Sequence, residues 1–555
     1  MQNDNYNKRI LVATLLSTAL IVLWIKYYGT KTIPQEELKN DVKEEQVVKV
    51  EEEKNIVKPE EVIEIVEPID NAEKVNIETE NLQGSINLKG LTFNNLILKK
   101  YNEEIDSEEK IKLLDNDYFV GFGWESEDKN VDLPNKDTVW QANQKILMLN
   151  NPLTLSYKNK DGLVFKIIIS VDSNYMFRFK QEIINPTEST FNIRTKNIIS
   201  RKMPALDRKV SVHQGFIGAF NRTIEEIKYG KLEKKKFDFK NGFSWAGFTD
   251  KYWLVAFTQN GNSKNIVDVT TEYTNENFII TFKSNNIIIN SKEKVESEDL
   301  LFAGPKILNL LDEYAFQYDL SLFDRAVDFG WFYFLTKPIY IVLKMFYTFL
   351  GNFGMAILLL TLVVKTIMFP FTKKSFVSMA KIKQIQPKIE NIKARCSNDK
   401  LRMNKEIMEL YKRENVSPLS GCLPMLVQIP VFFALYKVLA ISIDMRQAPF
   451  FGYIKNLADK DPTTIWNLFG LLPYNVNFIQ IGFLPCLMSL TMWLQQKMSS
   501  NTGGNQETQT AIKLMPIIFL FLFAGMPAGL LVYWTFSNII SIGQQYYVER
   551  KIKTK

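Results

Sequence analysis

The sequence is poor in the residues that most often carry metal and nucleophile chemistry. Its 555 residues include one histidine, His213, and three cysteines, Cys396, Cys422 and Cys486. A single histidine argues against a multi-histidine zinc site and limits any Ser-His or Cys-His scheme to one position. Because no cysteine falls between residues 30 and 330, that region has neither a disulfide nor a thiolate metal site. We therefore expect no metal, no cofactor and no enzymatic activity.

Carboxylates are missing from the interior of the long apolar runs, which cluster after residue 330. Proton relays and cation channels usually need acidic groups within the membrane. Their absence argues against a small-solute carrier or channel, which we keep as the alternative function. A second alternative is a cell-envelope enzyme that uses the β-rich region described below.

Aromatic residues are almost absent from residues 30–80, and residues 35–80 contain 16 acidic and 6 basic residues. Such a segment buries too little apolar surface to offset chain entropy, so we predict a disordered acidic tether over residues 30–80. Before it, Lys8 and Arg9 precede an apolar run at residues 10–25. This pattern predicts a signal-anchor span over residues 1–29 with a cytoplasmic N-terminus, a removed signal peptide being the alternative.

Residues 81–325 are predicted to form one large all-β sandwich. Short β-branched and aromatic segments that partly alternate are separated by Gly, Asn, Asp and Pro, a pattern typical of strands and turns. The clearest of these segments are residues 91–98, 163–171, 175–184, 252–258 and 278–289. No paired-carboxylate or nucleophile motif rises above background in this region.

The remaining chain predicts a polytopic helical membrane region with a cytoplasmic helical hairpin. Residues 326–350 are predicted to be a linker and an interfacial helix, interrupted at Pro338. Residues 373–414 contain 12 basic and 5 acidic residues, which places the hairpin in the cytoplasm. With the N-terminal span this gives six spans, five of them in the core, and two cytoplasmic termini. The predicted segments are spans at 351–372, 419–443, 478–497 and a pair within 513–548, the hairpin at 373–418, a periplasmic loop at 444–477, a cytoplasmic loop at 498–512 and a cytoplasmic tail at 549–555.

Polar side chains recur at comparable depths in these spans. Lys365 lies eight residues before the basic loop, or about 12 Å at helical rise. A charge at that depth costs roughly 3 kcal/mol or more, so it is a functional candidate, a snorkelling anchor being the alternative. Thr361 lies on the same helix face, and Gln428 and Asn538 fall at similar depths in other spans. Together they predict a hydrated, positively charged pocket that opens toward the cytoplasm.

A series of short motifs runs through residues 323–548. They are DFGW at 328–331, GNFG at 351–354, MFP at 368–370, MAK at 379–381, QPKI at 386–389, NVSPL at 415–419, GCLPMLVQIP at 421–430, RQAPF at 446–450 and PAGL at 527–530. In type and order these motifs closely resemble the Oxa/YidC/Alb family of membrane protein insertases. The first span, the tether and the β region match the Gram-negative architecture of that family, more by layout than by motif.

The resemblance implies a periplasmic β-supersandwich, a five-helix membrane core and an insertase of the bacterial inner membrane that works without ATP. Its implied partners are nascent membrane proteins, the ribosome, the Sec translocon and the lipid bilayer. Resemblance and depth together predict two sets of site residues. The substrate-binding groove comprises Lys365, Thr361, Gln428, Tyr533, Trp534 and Asn538, and an apolar slide comprises Met425, Phe433 and Leu531.

Two positions depart from the family pattern. The charged residue of the first core span is usually arginine in the family, and the aligned residue is Lys365. Lysine keeps the positive charge but lacks the planar donor fork of arginine, which affects the strength of client attraction but not its sign. The family's pair of tyrosines in the last span is Tyr533 and Trp534 here, so we expect a weaker polar contact at residue 534.

Overall fold

The computed structural model describes residues 73–205, 212–259, 266–396, 399–417, 423–472, 480–499 and 506–553. The described residues form two compact units. Unit 1 contains residues up to 101, 110–304 and 318–321, and unit 2 contains residues 102–109, 305–317 and those from 322 onward. The predicted N-terminal span and most of the predicted tether lie outside the described residues.

Unit 1 is built from two antiparallel-rich sheets. The first has 12 strands, with the order β15-β18-β19-β12-β5-β3-β2-β1-β8 and with β20, β4 and β6 paired beside this path. Its strands are β1 (Lys74–Glu78), β2 (Leu82–Asn87), β3 (Thr92–Asn102), β4 (Lys110–Leu114), β5 (Tyr118–Gly121), β6 (Trp124–Ser126), β8 (Ile146–Leu147), β12 (Phe191–Lys202), β15 (Phe237–Lys240), β18 (Ile266–Thr274), β19 (Asn277–Ser284) and β20 (Ile287–Ile289).

The second sheet has nine strands in the order β14-β13-β16-β17-β21-β11-β10-β9-β7. A short helix, α1 (Tyr229–Leu232), follows β14 in the chain. The strands are β7 (Gln141–Ala142), β9 (Leu153–Lys158), β10 (Val164–Val171), β11 (Met176–Ile184), β13 (Gly215–Phe220), β14 (Thr223–Lys228), β16 (Phe243–Thr249), β17 (Trp253–Thr258) and β21 (Lys294–Pro305).

The core of unit 1 lies between the two sheets. Strand β10 alternates half-buried and buried residues along its whole length, as expected for a strand with one face against a core. Aromatic rings from opposite sheets meet there, with centroid distances of 5.0 Å for Phe93–Phe177 and 4.9 Å for Phe257–Phe282. All five segments singled out in the sequence contain strands, so the prediction of a large β domain in this region is confirmed.

Both predicted ends of the β region need correction. The tether was expected to reach residue 80, but Lys74–Glu78 is strand β1, paired with β2 and β8. Val75 and Ile77 are buried while Lys74, Asn76 and Glu78 are exposed, an alternation that an average composition over many residues conceals. At the other end, Leu308–Gln317 is helix α2 in a stretch predicted to be β, and it belongs to unit 2.

A buried carboxyl group lies between the two sheets. Asp299 of β21 is 2% exposed and accepts hydrogen bonds from Asn197 Nδ2 of β12 at 2.8 Å and Gln181 Nε2 of β11 at 3.2 Å. Burial raises the pKa of the Asp299 carboxyl to about 6, although both amide donors favour its ionised form. The Asp299 cluster therefore joins the two sheets by polar contacts whose strength depends on pH.

A second polar cluster is centred on Arg201 of β12. Its guanidinium donates to both carboxylate oxygens of Asp250, at 3.0 and 2.8 Å, and to the Tyr229 hydroxyl at 3.0 Å. The same guanidinium lies 4.3 Å from the centroid of the Tyr118 ring. Because Asp250 follows β16 of the second sheet, this bidentate pair also connects the sheets.

Unit 2 is helical. Its α-helices are α2 (Leu308–Gln317), α3 (Tyr333–Leu350), α4 (Phe353–Gln384), α5 (Gln386–Arg395), α6 (Lys400–Arg413), α7 (Leu423–Ile441), α8 (Phe483–Ser499), α9 (Gln506–Phe523) and α10 (Ala528–Lys553). Helix α10 packs against α4, α8 and α7, and α3 packs against α4 and α7. Several helices extend beyond the predicted boundaries: α9 begins inside the predicted loop 498–512, and α10 continues into the predicted tail.

The predicted break at Pro338 does not occur, because helix α3 continues through this residue. Helix α4 contains Pro370 and extends to Gln384, well beyond the predicted end of its span at residue 372 and into the segment predicted as the hairpin. Proline removes one backbone donor and crowds the preceding turn, but packing of the helix against its neighbours offsets that cost. Asn352 is the N-cap of helix α4: its side chain accepts a hydrogen bond from the Met355 amide at 3.1 Å.

Close packing at the start of α4 depends on a glycine of the GNFG motif. A Cβ atom on Gly354 would lie 1.9 Å from Cδ2 of Phe450, which belongs to the RQAPF motif. Since no ordinary Cβ contact is that short, the absence of a side chain at residue 354 allows the ring of Phe450 to lie against the helix backbone. The two motifs thus meet in space.

Helix α3 is held by ion pairs and hydrogen bonds along one side. Near its start, Lys337 Nζ contacts Asp312 at 2.8 Å and Asp324 at 3.0 Å. One turn later, the Tyr340 hydroxyl donates to Asp444 at 2.5 Å. These contacts join α3 to α2, to the turn before it and to the segment after α7.

Helices α5 and α6 pack on a shared apolar cluster. Its buried members come from the end of α4, from both helices and from the residues that follow them; they are Ile382, Ile385, Ile389, Ile392, Cys396, Ile407, Leu410, Tyr411 and Val416. The apolar residues recur every three or four positions, so each helix presents one stripe to the cluster. Arg395 and Glu406 form an ion pair between the two helices at 3.3 Å.

Candidate functional site

Several polar side chains of the helical unit meet on helix α10. Three of its residues form hydrogen bonds with three different neighbouring helices, and each pair joins residues far apart in the chain. Because the surrounding faces of these helices are apolar, each polar pair is held in a low-dielectric environment. Helix α10 is therefore the element that organises the candidate site.

Lys365 is the buried cation of this site. Its side chain comes from α4 and is 8% exposed, and its ammonium donates to the Ser541 hydroxyl of α10 at 2.8 Å. Gln544, also on α10, donates to the Lys365 backbone carbonyl at 3.2 Å. Among the described residues, no carboxylate lies within ion-pairing distance of this ammonium. The charge is thus solvated by a neutral hydroxyl and not neutralised.

Gln428 and Tyr533 form the second pair. The amide nitrogen of Gln428, on α7, donates to the hydroxyl oxygen of Tyr533 on α10, whose ring is fully buried. Gln428 itself is half-buried. Since Tyr533 precedes Ser541 by about two helical turns, the Gln428 and Lys365 pairs lie at different heights along α10.

Asn538 and Thr361 have other partners. Asn538 donates to the Thr491 hydroxyl of α8 at 3.1 Å, so its amide faces α8 and neither α4 nor α7. Thr361 is fully buried, and its hydroxyl donates to the Ile357 carbonyl one turn earlier at 2.7 Å, a common arrangement for threonine inside a helix. The structure thus brings Lys365 and Gln428 to α10 but does not give the four predicted groups one set of shared contacts.

The predicted aromatic and apolar residues fall in several environments. Trp534 packs edge-on against Phe432 at a centroid distance of 4.8 Å, and Phe433 stacks on Phe332 at 6.3 Å. Leu531 is 1% exposed, so it belongs to the packed helix interior. Met425 lies in α7, and its side chain is outside the described part of the structure.

Sequence reasoning missed Ser541 and Gln544, the two residues of α10 that contact Lys365. A signal existed, because Ser537, Ser541 and Gln544 recur at intervals of four and three along α10 and so share one face.

The charges of the helices α5 and α6 face outward. Exposed cations from the end of α4 and from both helices surround the apolar cluster described above; they include Lys381, Lys383, Lys388, Arg395, Arg402, Lys405, Lys412 and Arg413. Exposed positive charge of this density attracts polyanions and anionic lipid headgroups. The ion pair between Arg402 and Glu406 also lowers the pKa of the Glu406 carboxyl, so this acid remains ionised at neutral pH.

One helix among the described residues, Phe353–Gln384, meets the length and composition required of a membrane span. Shorter apolar helical stretches occur at Gln428–Ile441 and Lys513–Phe523. A helix long and apolar enough to span a membrane, with a buried cation and linked in sequence to a large two-sheet β unit, is typical of one class of protein: integral membrane proteins with a sizeable domain outside the hydrocarbon.

Comparison with known proteins identifies the family. The family described as "60Kd inner membrane protein" matches residues 345–555, and the "YidC periplasmic domain" matches residues 74–342. Curated proteins named membrane protein insertase YidC from Rickettsia conorii and Rickettsia felis are each 41% identical over 562 residues, covering 99% of this chain and 100% of theirs. The chain belongs to the YidC family of membrane protein insertases, which reside in the inner membrane and carry a periplasmic β domain.

A solved structure of an active YidC insertase is also similar. It shares 17% sequence identity with this chain, covers 86% of this chain and 93% of its own, and superposes with a TM-score of 0.38.

Proposed function

We propose that this protein receives nascent apolar segments from the cytoplasm in a hydrated, positively charged groove at Lys365 and releases them into the lipid bilayer, alone or beside the Sec translocon. A client's polar or acidic tail enters beside the ammonium, which lowers the desolvation cost of crossing. The apolar segment then passes along α7 and α10 into lipid. The membrane potential assists an acidic tail on its way outward.

The single observation that supports this proposal is the unneutralised buried charge of Lys365. A buried cation without a carboxylate partner among the described residues is costly to maintain and is more stable when an anion visits it. Its hydroxyl partner, Ser541, is a weak ligand that a client carboxylate readily replaces. Gln428, half-buried on α7, offers a second polar contact on the way into the groove.

The proposal includes an orientation of the chain. The basic helices α5 and α6 lie in the cytoplasm, where they receive the client from the ribosome, and the β unit lies in the periplasm. Six spans then leave both termini in the cytoplasm. In this arrangement the exposed cations of α5 and α6 face ribosomal RNA or anionic headgroups, both of which are polyanionic.

The test is site-specific photocrosslinking to a stalled nascent chain. A photoreactive residue at Gln428 is expected to crosslink a membrane-protein client presented by a ribosome, because this side chain is half-buried beside Tyr533. The matched control is Ile518, an apolar residue of α9 that is 53% exposed and is expected to crosslink mainly lipid.

The crosslinks also report the direction of transfer. Clients stalled at increasing lengths are expected to contact residue 428 first and to lose that contact as the apolar segment enters lipid. If residue 428 never crosslinks a client, or if residue 518 crosslinks equally well at every length, the groove at Lys365 is not the route.

A further inference from the structure

A short apolar loop precedes helix α8. Residues 464–472 contain no charged side chain, and four large apolar residues point away from the protein. They are Trp466, Leu468, Phe469 and Leu471, which are 43%, 53%, 41% and 83% exposed. So many adjacent apolar side chains are unusual on a surface that faces water and mark a contact with something apolar.

The backbone of this loop forms several hydrogen bonds within the loop and one at its base. Phe469 N donates to Thr464 O at 2.8 Å, and Leu472 N donates to Asn467 O at 3.0 Å. At the base of the loop, Ile465 N donates to Ile481 O at 2.9 Å. Internal satisfaction of backbone groups is what a segment needs before it enters hydrocarbon, where no water is available as a partner.

The loop is also fixed to the start of α8. Asp461 accepts hydrogen bonds from Thr463 N at 2.9 Å and from Leu484 N, in the first turn of α8, at 2.7 Å. The Thr463 hydroxyl accepts a hydrogen bond from Phe483 N at 2.9 Å. The loop is therefore a structured extension of the helix end.

Its tip holds two bulky residues in an unfavourable backbone conformation. Leu468 and Phe469 have φ angles of 50° and 58°, in the left-handed region that such side chains rarely adopt. This conformation turns both side chains outward together. Strain of this kind persists where the resulting arrangement of side chains has a use.

The exposed apolar face continues from the loop onto α8. The rings of Phe469 and Phe483 meet edge to face at a centroid distance of 5.6 Å. Phe483 is 42% exposed, and Leu490 and Trp493 farther along α8 are 51% and 46% exposed. The basic residue Lys497 lies at the opposite end of α8. The loop thus extends the outward face of the helix at the end remote from its positive charge.

We propose that residues 464–472 insert into the hydrocarbon boundary of the lipid bilayer, beside the N-terminal end of α8. In the orientation proposed above this is the outer leaflet. Leu468, Phe469 and Leu471 enter the acyl region, and Trp466 lies at headgroup level, where indole rings are enriched. The loop anchors that end of α8 at a defined depth and gives the protein a monotopic membrane contact in addition to its spans.

The test measures the depth of a nitroxide label on the full chain. Cys396, Cys422 and Cys486 are replaced by alanine, and Leu471→Cys is labelled and reconstituted in vesicles of phosphatidylethanolamine and phosphatidylglycerol. Relaxation of the label by oxygen, which concentrates in lipid, is compared with relaxation by a water-soluble nickel chelate. Leu490→Cys on α8 is the control for a lipid-facing site, and Lys460→Cys is the control for an aqueous site.

The label at residue 471 is expected to match residue 490, with a several-fold higher ratio of oxygen to nickel accessibility than residue 460. Nickel accessibility at residue 471 equal to that at residue 460 would overturn the proposal. Protection from both reagents would overturn it as well, because that result means that protein covers the loop. The same comparison at Leu468→Cys keeps the test decisive if one variant fails to fold. The measurement does not depend on insertion activity, so it stands apart from the proposed function.

Discussion

The charge of Lys365 can be separated from its bulk by one set of substitutions. Lys365→Met keeps an unbranched stem of similar length and removes the charge, whereas Lys365→Arg keeps the charge. Because no described carboxylate pairs with Lys365, the neutral variant leaves no acid orphaned. It loses only the bond to Ser541, and a hydrogen bond that involves a charged group contributes about 1.5–3 kcal/mol. Removal of the buried charge also removes its desolvation cost, which offsets the lost hydrogen bond. We therefore expect the Lys365→Met variant to fold.

The effect on insertion is expected to be larger than the effect on stability. A hydrogen bond between a charged donor and a client carboxylate contributes about 1.5–3 kcal/mol, so its loss corresponds to roughly 10- to 150-fold in rate. Lys365→Met is expected to slow insertion of a client with an acidic tail by that factor. With Lys365→Met, a client with a neutral tail is expected to insert nearly as fast as it does with the unaltered protein. The Lys365→Arg variant is expected to insert both the acidic-tail and the neutral-tail client.

The assay is the initial rate of protease protection of a client tail in vesicles that contain the purified protein. Thr366→Ala is the matched control, because residue 366 is adjacent but exposed and its hydroxyl bonds only to its own helix. Equal rates for Lys365→Met and the unaltered protein would remove the charge from the mechanism. Equal loss for acidic and neutral tails would show that the residue acts through packing.

Three further predictions concern stability. The pKa of Asp299 in the folded chain, about 6, exceeds the ordinary aspartate value near 4. The protonated group therefore contributes about 3 kcal/mol to the free energy of unfolding below pH 4, and this contribution is lost as the pH rises through 6. Asp299→Asn is expected to flatten this pH dependence, measured by urea unfolding of the β unit. Arg201→Ala leaves Asp250 without its partner and is expected to destabilise the β unit by about 3 kcal/mol in the same assay. Gly354→Ala forces a Cβ into Phe450 and is expected to cost about 1–3 kcal/mol, measured as a lower midpoint of thermal unfolding in detergent.

Each of these predictions has a control. Gly525→Ala places a Cβ that meets no heavy atom of a neighbouring side chain or segment within 4 Å in the described part of the chain, so it is expected to leave the unfolding midpoint unchanged. If Gly354→Ala also leaves the midpoint of thermal unfolding unchanged, the contact with Phe450 is not tight. Arg201→Lys keeps the charge but not the fork, and full stability in that variant would contradict a bidentate pair. A pH profile that Asp299→Asn leaves unchanged would assign the titration to another group.

The local patterns of this sequence determined most of its secondary structure. Alternation in segments such as residues 163–171 predicted strands, and the helical hairpin predicted at 373–418 corresponds to helices whose apolar residues, from Ile382 to Ile392, recur at steps of three and four. These inferences hold because side-chain periodicity is a local property of the backbone. The first strand of the β unit was not predicted, because β1 spans only five residues. That is too few to alter the average composition of the acidic stretch that surrounds it.

Only the tertiary structure decided which polar groups meet. Lys365 and Ser541 are 176 residues apart in the chain, and nothing local to either predicts their contact. Depth along a span could be counted from sequence, but the direction in which a side chain points depends on how each helix is rotated against its neighbours. That rotation is set by packing, which is why Asn538, at a suitable depth, faces Thr491 of α8 while Ser541, one turn later, faces the lysine.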